Sequence, residues 1–323
     1  MRILVTGASG FVGSRLINSG SQRSENVLFR AVARKQILGL NTNTEEILIS
    51  NIDRHTDWSI ALKDVDVVVH LAARVHVMQD RSADPLLDYR EANVASTLNL
   101  AEHAAKAGVK RFIFLSSIKV NGEKTEPGHP FAEESPPYPE DLYGVSKLEA
   151  EEGIRAICKQ VGMEFVLIRP PLIYGPGVKA NYLKLMQLVQ KRLPLPLGSI
   201  LNKRSMLALD NLVDFILLVS KHPQAANELF LLSDEKSFST AQLIDQIALS
   251  MGFTSSRLIP MPVTALRMIA KCFGQSAAVE RLTDSLEVNS QKAQYLLGWE
   301  PPLNVEAGIQ MTVDDFLLFQ KAD

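Results

Sequence analysis

The chain opens with a short apolar run, Ile3-Leu4-Val5, that turns directly into Thr6-Gly7-Ala8-Ser9-Gly10-Phe11-Val12-Gly13. A helix-like stretch follows, to Ser19. Strand, glycine-rich turn and helix start, in that order, leave few choices of fold. The glycines meet three demands: a tight turn, close approach of backbone to a diphosphate, and contact between helix and strand. The helix start adds free N–H groups and a partial positive charge, both suited to phosphate. The spacing is G-x-x-G-x-x-G rather than G-x-G-x-x-G, and an ordinary βα turn can carry it. Its place directly after the first apolar strand favours a dinucleotide site. Gly7, Ser9, Gly10, Phe11, Val12 and Gly13 are its expected contacts.

The alternation continues down the chain. Residues 27–33, 46–50, 65–71, 111–115 and 165–168 read as strands, and 85–107 and 143–160 as long helices. Strands separated by helices predict an α/β fold: a Rossmann-type doubly wound parallel sheet. After Pro170 the pattern changes, with prolines at 171, 176, 194 and 196. Residues 1–175 are therefore read as the dinucleotide-binding domain, to which the chain returns after residue 205. Residues 176–323 are read mainly as a smaller C-terminal α/β substrate lobe.

Bulk properties narrow the function. The formal charge is -2 and no Lys/Arg run occurs, which argues against nucleic acid as a partner. Cys158 and Cys272 lie in helix-like stretches without metal-ligand spacing, so both are expected to be free, buried thiols and no metal is expected. The apolar start is too short for a signal-peptide core, and no apolar stretch reaches the ~18 residues of a membrane span. The expectation is a cytoplasmic protein without a membrane partner.

The end of the second strand bears on the cofactor. An acidic residue there would bond a ribose 2′-hydroxyl and favour NAD. Instead Ala33 is followed by Arg34-Lys35, and Arg can pair a 2′-phosphate bidentately. NADP is the preferred reading and NAD the alternative; a solvated basic turn would look the same. Ile52 and Asp53 are placed near the adenine, although Asp53 could equally cap the following turn.

Tyr143-Gly144-Val145-Ser146-Lys147 opens a helix and puts Tyr143 and Lys147 on one face. A phenol of pKa about 10 is a poor acid–base group at neutral pH. An adjacent ammonium and a cationic nicotinamide would lower it. Y-x-x-x-K alone is common by chance. Ser116-Ser117, however, end the strand 111–115, and ligands in such sheets bind beyond the strands' carboxyl ends. A hydroxyl there can hold a reacting oxygen toward Tyr143.

Together these residues resemble the extended short-chain dehydrogenase/reductase family of nucleotide-sugar epimerases, dehydratases and reductases. The matching motifs span most of the chain: Thr6 to Gly13, His70-Leu71-Ala72-Ala73, Asn93, Leu115-Ser116-Ser117, Tyr143-x-x-x-Lys147, Arg169-Pro170, Tyr174-Gly175-Pro176-Gly177, Arg204, Asp210 and Leu297-Gly298-Trp299-Glu300-Pro301. The resemblance implies Ser117, Tyr143 and Lys147 as the catalytic trio. It implies Leu71, Ala72, Ala73 and Pro170 along the cofactor trough, and Asn93 in support of the active-site helix. Ser117, Lys119, Asn181, Arg204 and Arg281 would meet a UDP-sugar, with the arginines on its diphosphate. Arg204 could instead be a surface cation and Asn181 a helix cap. Family members also pair through the helices beginning near Pro85 and Tyr143, implying a homodimer.

Departures from the family pattern restrict the chemistry. Ser117-Ile118-Lys119-Val120 lacks the acidic pair of 4,6-dehydratases and the Glu of the decarboxylase branch. Many members carry Arg-Pro-x-Asn before the Tyr-Gly-Pro turn, where this chain has Arg169-Pro170-Pro171-Leu172, and Asn121 stands where Tyr is common. Three readings follow. The first is an NADPH-dependent 4-ketoreductase of a UDP-linked, N-acetylated 6-deoxy hexose in bacterial polysaccharide synthesis. The second is a UDP-hexose 4-epimerase with retained NAD, which removes hydride from C4 and returns it to the opposite face. The third is a non-catalytic dinucleotide sensor or scaffold, disfavoured by the intact trio.

Overall fold

The computed structural model describes residues 1–23, 27–75 and 84–322. In chain order the elements begin with β1 (Arg2–Thr6), α1 (Phe11–Arg23), β2 (Leu28–Ala33), β3 (Thr44–Leu48) and β4 (Val67–His70). Next come α2 (Pro85–Tyr89), a π-helical segment Arg90–Ala95, α3 (Ser96–Lys106), β5 (Arg111–Leu115), α4 (Leu142–Val161), β6 (Glu164–Arg169) and β7 (Leu172–Tyr174). The remainder comprises α5 (Ala180–Gln190), β8 (Met206–Ala208), α6 (Leu209–Val219), β9 (Glu228–Leu231), α7 (Thr240–Ser250), α8 (Val263–Cys272), α9 (Ser276–Thr283), α10 (Gln291–Leu297) and α11 (Val305–Ala322).

Seven parallel strands form one sheet in the order β3-β2-β1-β4-β5-β6-β9. The chain winds outward from β1 to β3, then crosses to β4 and winds the other way. Strand order thus reverses between β1 and β4, whose carboxyl ends are Thr6 and His70. Such a switch point opens a crevice for ligand. This is the doubly wound fold expected from the alternation of strands and helices.

Both faces are covered, which is why β1, β4 and β6 read as continuous apolar runs rather than alternating ones. On one face Val12, Leu16 and Ile17 of α1 pack with Leu212, Phe215 and Ile216 of α6 and with Trp299. On the other, Leu100, Ala101 and Ala104 of α3 pack with Ala150, Ile154 and Cys158 of α4 around Phe112, Phe114 and Trp58. A third core joins Tyr174, α5, α7, α11 and Leu266 of α8. A large side chain wholly removed from water contributes about 1.5–3 kcal/mol, so the sheet and its two helical layers hold most of the fold's apolar stabilisation. The Leu297-Gly298-Trp299 motif is structural: Gly298 caps α10 with φ +65°, and Trp299 stacks edge-on against Phe215 at 4.9 Å.

Three details differ from expectation. The third strand lies two residues earlier, at Thr44–Leu48, where it pairs in register with β2. The helix expected over 85–107 is interrupted by the π-helical segment Arg90–Ala95. Cys158 is buried, but Cys272 is exposed, because Leu266 and Ala270 take the inward positions of α8 and Cys272 falls on the solvent side. No helix of the described residues is long and apolar enough to cross a membrane.

Candidate active site

The phosphate loop is built from close backbone contacts that only glycine permits. Gly7 adopts φ +67°, and a Cβ there would lie 2.9 Å from the Ala72 nitrogen. A Cβ on Gly13 would lie 2.2 Å from the Gly7 carbonyl oxygen. Gly10 donates its N–H to that same oxygen at 2.9 Å. The loop therefore presses on Leu71 and Ala72 across the β1/β4 crevice while α1 starts beside it. The first-turn N–H groups of a helix have no partner within it. A side-chain-free cradle at such a helix start fits the diphosphate of a nicotinamide dinucleotide.

A buried hydrogen-bond chain fixes the far wall. Thr97 Oγ1 donates to the Asn93 carbonyl at 2.6 Å, so it accepts from His70 Nε2 at 2.9 Å. His70 Nδ1 is then an acceptor for Thr6 Oγ1 at 2.7 Å. Thr6 Oγ1 in turn accepts from the N–H groups of Leu71 at 3.2 Å and Ala72 at 3.3 Å. Burial, reinforced by the Lys147 charge, pushes the His70 pKa down to about 3, so the ring stays neutral and holds this tautomer. Leu71 and Ala72 are thereby tied to β1, and through His70 and Thr97 to the Asn93 carbonyl of the π-helical segment.

Asn93 sits within that segment and is 1 % exposed. Its Nδ2 donates to Arg74 O and to Ser146 Oγ, each at 3.0 Å, and its Oδ1 accepts from Arg74 N at 2.7 Å. The extra residue of a π turn re-aims a side chain without breaking the helix, and such turns concentrate at functional sites. Here it joins the 71–74 wall to the first turn of α4.

The start of α4 carries Tyr143 and, one turn on, Lys147. Asp141 caps α4 through Gly144 N at 2.7 Å, and Gly144 lets the helix approach the Lys119 carbonyl, which would lie 2.7 Å from a Cβ. Lys147 Nζ donates to the Leu115 carbonyl at 2.8 Å and lies 4.3 Å above the Phe114 ring and 5.9 Å from the Tyr143 ring. Ser117 caps the turn that follows β5, its Oγ accepting from Lys119 N at 3.3 Å. Lys147 thus links the Tyr143 ring to the carboxyl end of β5, two residues before Ser117.

The electrostatics correct one expectation. Burial raises the Tyr143 phenol above its ordinary value, and the charges of Asp141 and Tyr89 add to this. Burial also lowers the Lys147 ammonium to about 7, against a smaller opposing effect of Glu151. The polypeptide alone therefore disfavours the phenolate that the sequence reading assigned to Lys147 and a cationic nicotinamide together. A cationic nicotinamide is the charge left to favour it.

The remaining expected residues are more scattered. Arg34 and Lys35 are exposed past β2. Asp53 caps its own loop, accepting from His55 N at 2.8 Å, while Ile52 packs on the core beside α3. Pro170 accepts from Ile118 N at 3.0 Å and so holds the Ser117 turn. Lys119 is engaged by Glu123 at 2.7 Å and Asp141 at 2.5 Å. Arg204 donates to the Asp284 carbonyl at 3.0 Å, bringing it beside the segment after Arg281, whose own Nε turns back to the Ala277 carbonyl at 3.0 Å. Asn181 is exposed in the first turn of α5, and the cap position there belongs to Lys179. Asn121 now has an explanation: its Oδ1 accepts from Arg169 Nη1 at 3.0 Å within a buried pair between Arg169 and Glu151. The sequence reading missed Thr6, Thr97, Ser146 and Glu151. Asp141, one residue ahead of an apolar helix start, carried a capping signal that could have been read.

Residues 3–232 match the family described as NAD dependent epimerase/dehydratase. The chain belongs to this family. It is an enzyme of that NAD-dependent group, as the match over most of its length and a close relative both show. A Vibrio cholerae protein named UDP-glucose 4-epimerase is 46% identical over 98% of this chain and 95% of its own length. Two solved structures share the fold of this epimerase/dehydratase-family enzyme. A Thermotoga maritima UDP-glucose 4-epimerase with UDP-glucose superposes with TM-score 0.79 at 23% identity, covering 99% of this chain and 100% of its own. A Bacillus cereus UDP-glucuronic acid 4-epimerase with NAD gives TM-score 0.79 at 21% identity, covering 99% of both chains.

Proposed function

We propose that the enzyme is a UDP-hexose 4-epimerase that retains NAD, rather than a net reductase. The observation that carries this is Lys147 held between the Tyr143 ring and the Leu115 carbonyl, two residues ahead of Ser117, in a chain 46% identical to a protein named UDP-glucose 4-epimerase. The site also lacks a feature that elimination of water would need: positions 118 and 119 are Ile and Lys, and the Lys is paired with two carboxylates. Dehydration requires its own acid and base there, so epimerisation fits better.

In this reading Tyr143 takes the proton from the C4 hydroxyl and later returns it. Ser117 holds the C4 oxygen during both steps. Lys147, fixed on the Leu115 carbonyl, orients against the phenol ring. Bound NAD supplies the hydride acceptor and donor. Gly7, Ser9, Gly10, Phe11, Val12 and Gly13 seat its diphosphate, with Leu71 to Ala73, Asn93 and Pro170 behind it. Arg204, Arg281, Asn181 and the lobe after residue 175 take the UDP-sugar. The basic pair Arg34-Lys35 had favoured NADP. Its exposure beyond β2 suits a solvated turn equally well, and NAD is the cofactor of this proposal. Pairing of two chains through α2, α3 and α4 belongs to the same reading, as Leu87 and Leu142 are exposed there.

The test is direct. The enzyme as purified, denatured and weighed by mass spectrometry, should release about one NAD per chain, and should interconvert UDP-glucose and UDP-galactose without added dinucleotide. Protein that carries no NAD and consumes NADPH in step with a UDP-4-keto sugar would restore the reductase reading. Tyr143→Phe should remove turnover and leave the bound NAD in place.

A further inference from the structure

Lys119 stands two residues beyond Ser117, where the sequence reading placed it among substrate contacts. Its ammonium is instead occupied. Nζ lies 2.7 Å from Glu123 Oε1 and 2.5 Å from Asp141 Oδ2, with its side chain 30% exposed. Burial disfavours the ammonium, but hydrogen bonds to Asp141 and Glu123 and their charges prevail, and its pKa is raised. The lysine is a fixed cation.

Asp141 faces two ways. One oxygen meets Lys119, and the other caps α4 through Gly144 N at 2.7 Å. The Lys119 backbone is equally close to α4, because its carbonyl fills the space that a Gly144 side chain would need. The Ser117 turn and the Tyr143 turn are therefore joined through Lys119 by main chain and side chain alike. Around the phenol stand Lys147 at 5.9 Å from α4 and Tyr89 at 6.4 Å from α2, with Arg74 over the Tyr89 ring at 5.5 Å. Asp141 is the carboxylate that disfavours ionisation of Tyr143, and Glu123 lies on the far side of Lys119.

We propose that Lys119 is a positioning residue: it anchors the start of the Tyr143 helix to the Ser117 turn and neutralises the Asp141 carboxylate that caps that helix two residues before Tyr143. This rests on Tyr143 being the titrating group of the proposed reaction. Removing the cation leaves Asp141 uncompensated, so the phenolate becomes harder to form. Removing the Asp141 charge has the opposite effect, and Asn still caps the helix.

The experiment is a cycle of Lys119→Met, Asp141→Asn and the double variant, in the NAD-bound enzyme, with Lys119→Arg as the conservative control. The acidic limb of the kcat profile with UDP-glucose should move up by about 0.5–1 pH unit in Lys119→Met and down in Asp141→Asn. In the Asp141→Asn background the Lys119→Met shift should keep its direction, because the fields of the two charges at the phenol add, and Lys119→Arg should keep the limb near that of the parent enzyme. A limb that Lys119→Met leaves in place overturns the electrostatic part. Thermal melts of the parent, Lys119→Met, Asp141→Asn and the double variant should be non-additive, and additive melts overturn the anchoring part. The melts need no turnover. If Tyr143→Phe proves fully active, the acid–base reading falls while the melts still decide the anchor.

Discussion

Asn93 Nδ2 donates to Ser146 Oγ at 3.0 Å across the junction between the π-helical segment and α4. Ser146 Oγ donates onward to the Tyr143 carbonyl at 2.8 Å, so the cofactor-side wall and the candidate acid–base residue share one buried linkage. Asn93→Ala should remove one hydrogen bond from Ser146 and two from the Arg74 backbone. An unsatisfied buried group costs about 1–3 kcal/mol, and a small displacement of a reacting group can cost on the order of 100-fold in rate. We expect a lower melting temperature and a kcat loss larger than any change in KM for UDP-glucose. A variant that melts and turns over like the parent would show that this linkage does not set the position of Tyr143.

Lys147 makes the dinucleotide-free protein's stability depend on pH. Its folded-state pKa of about 7 lies below the ordinary 10.5. Between those values the unfolded chain holds a proton that the folded chain has released. Stability from this group therefore rises with pH across that window, and the penalty is complete below it. Lys147→Met should raise the melting temperature at neutral pH, and the gain should shrink as the pH approaches 10. A gain of the same size at both ends would rule out the buried-ammonium explanation.

Arg169 and Glu151 form a two-bond ion pair whose side chains are 4% and 2% exposed. Deleting one member of such a pair costs about 3–5 kcal/mol, whereas an apolar pair of similar volume can be nearly neutral. Glu151→Leu should therefore destabilise strongly in urea, and adding Arg169→Met should recover much of the loss. Asn121, which accepts from Arg169, limits that recovery because its Oδ1 is left unpaired. A single-variant cost of about 1 kcal/mol or less would place the pair with ordinary surface bridges.

Much of the fold was legible because it follows from local rules. The strand–glycine–helix opening, the apolar strands at 67–70 and 111–115 and the helix start at Tyr143 are short-range patterns, and the structure has them. The helix break at Arg90–Ala95 was not legible. A π turn adds no residue type of its own; it forms where Asn93 can satisfy Arg74 and Ser146 at once. The exposure of Cys272 was hidden for a similar reason, since apolar residues surround it and only the docking of α8 decides which of them point inward.

By itself the sequence determined the doubly wound sheet, the phosphate loop and the three residues that carry the proposed chemistry. These depend on periodicity, on glycine at fixed spacing and on neighbours along one helix face. Tertiary structure alone decided what surrounds them: that Lys119 pairs with the Asp141 that caps the Tyr143 helix, that His70 bridges Thr6 to Thr97, and that Asn121 accepts from Arg169. Partners such as Arg169 and Asn121, 48 positions apart, meet only when the sheet has closed. Charge and burial act through such distances, so the ionisation of Tyr143 and Lys147 belongs to the folded protein and not to the motif.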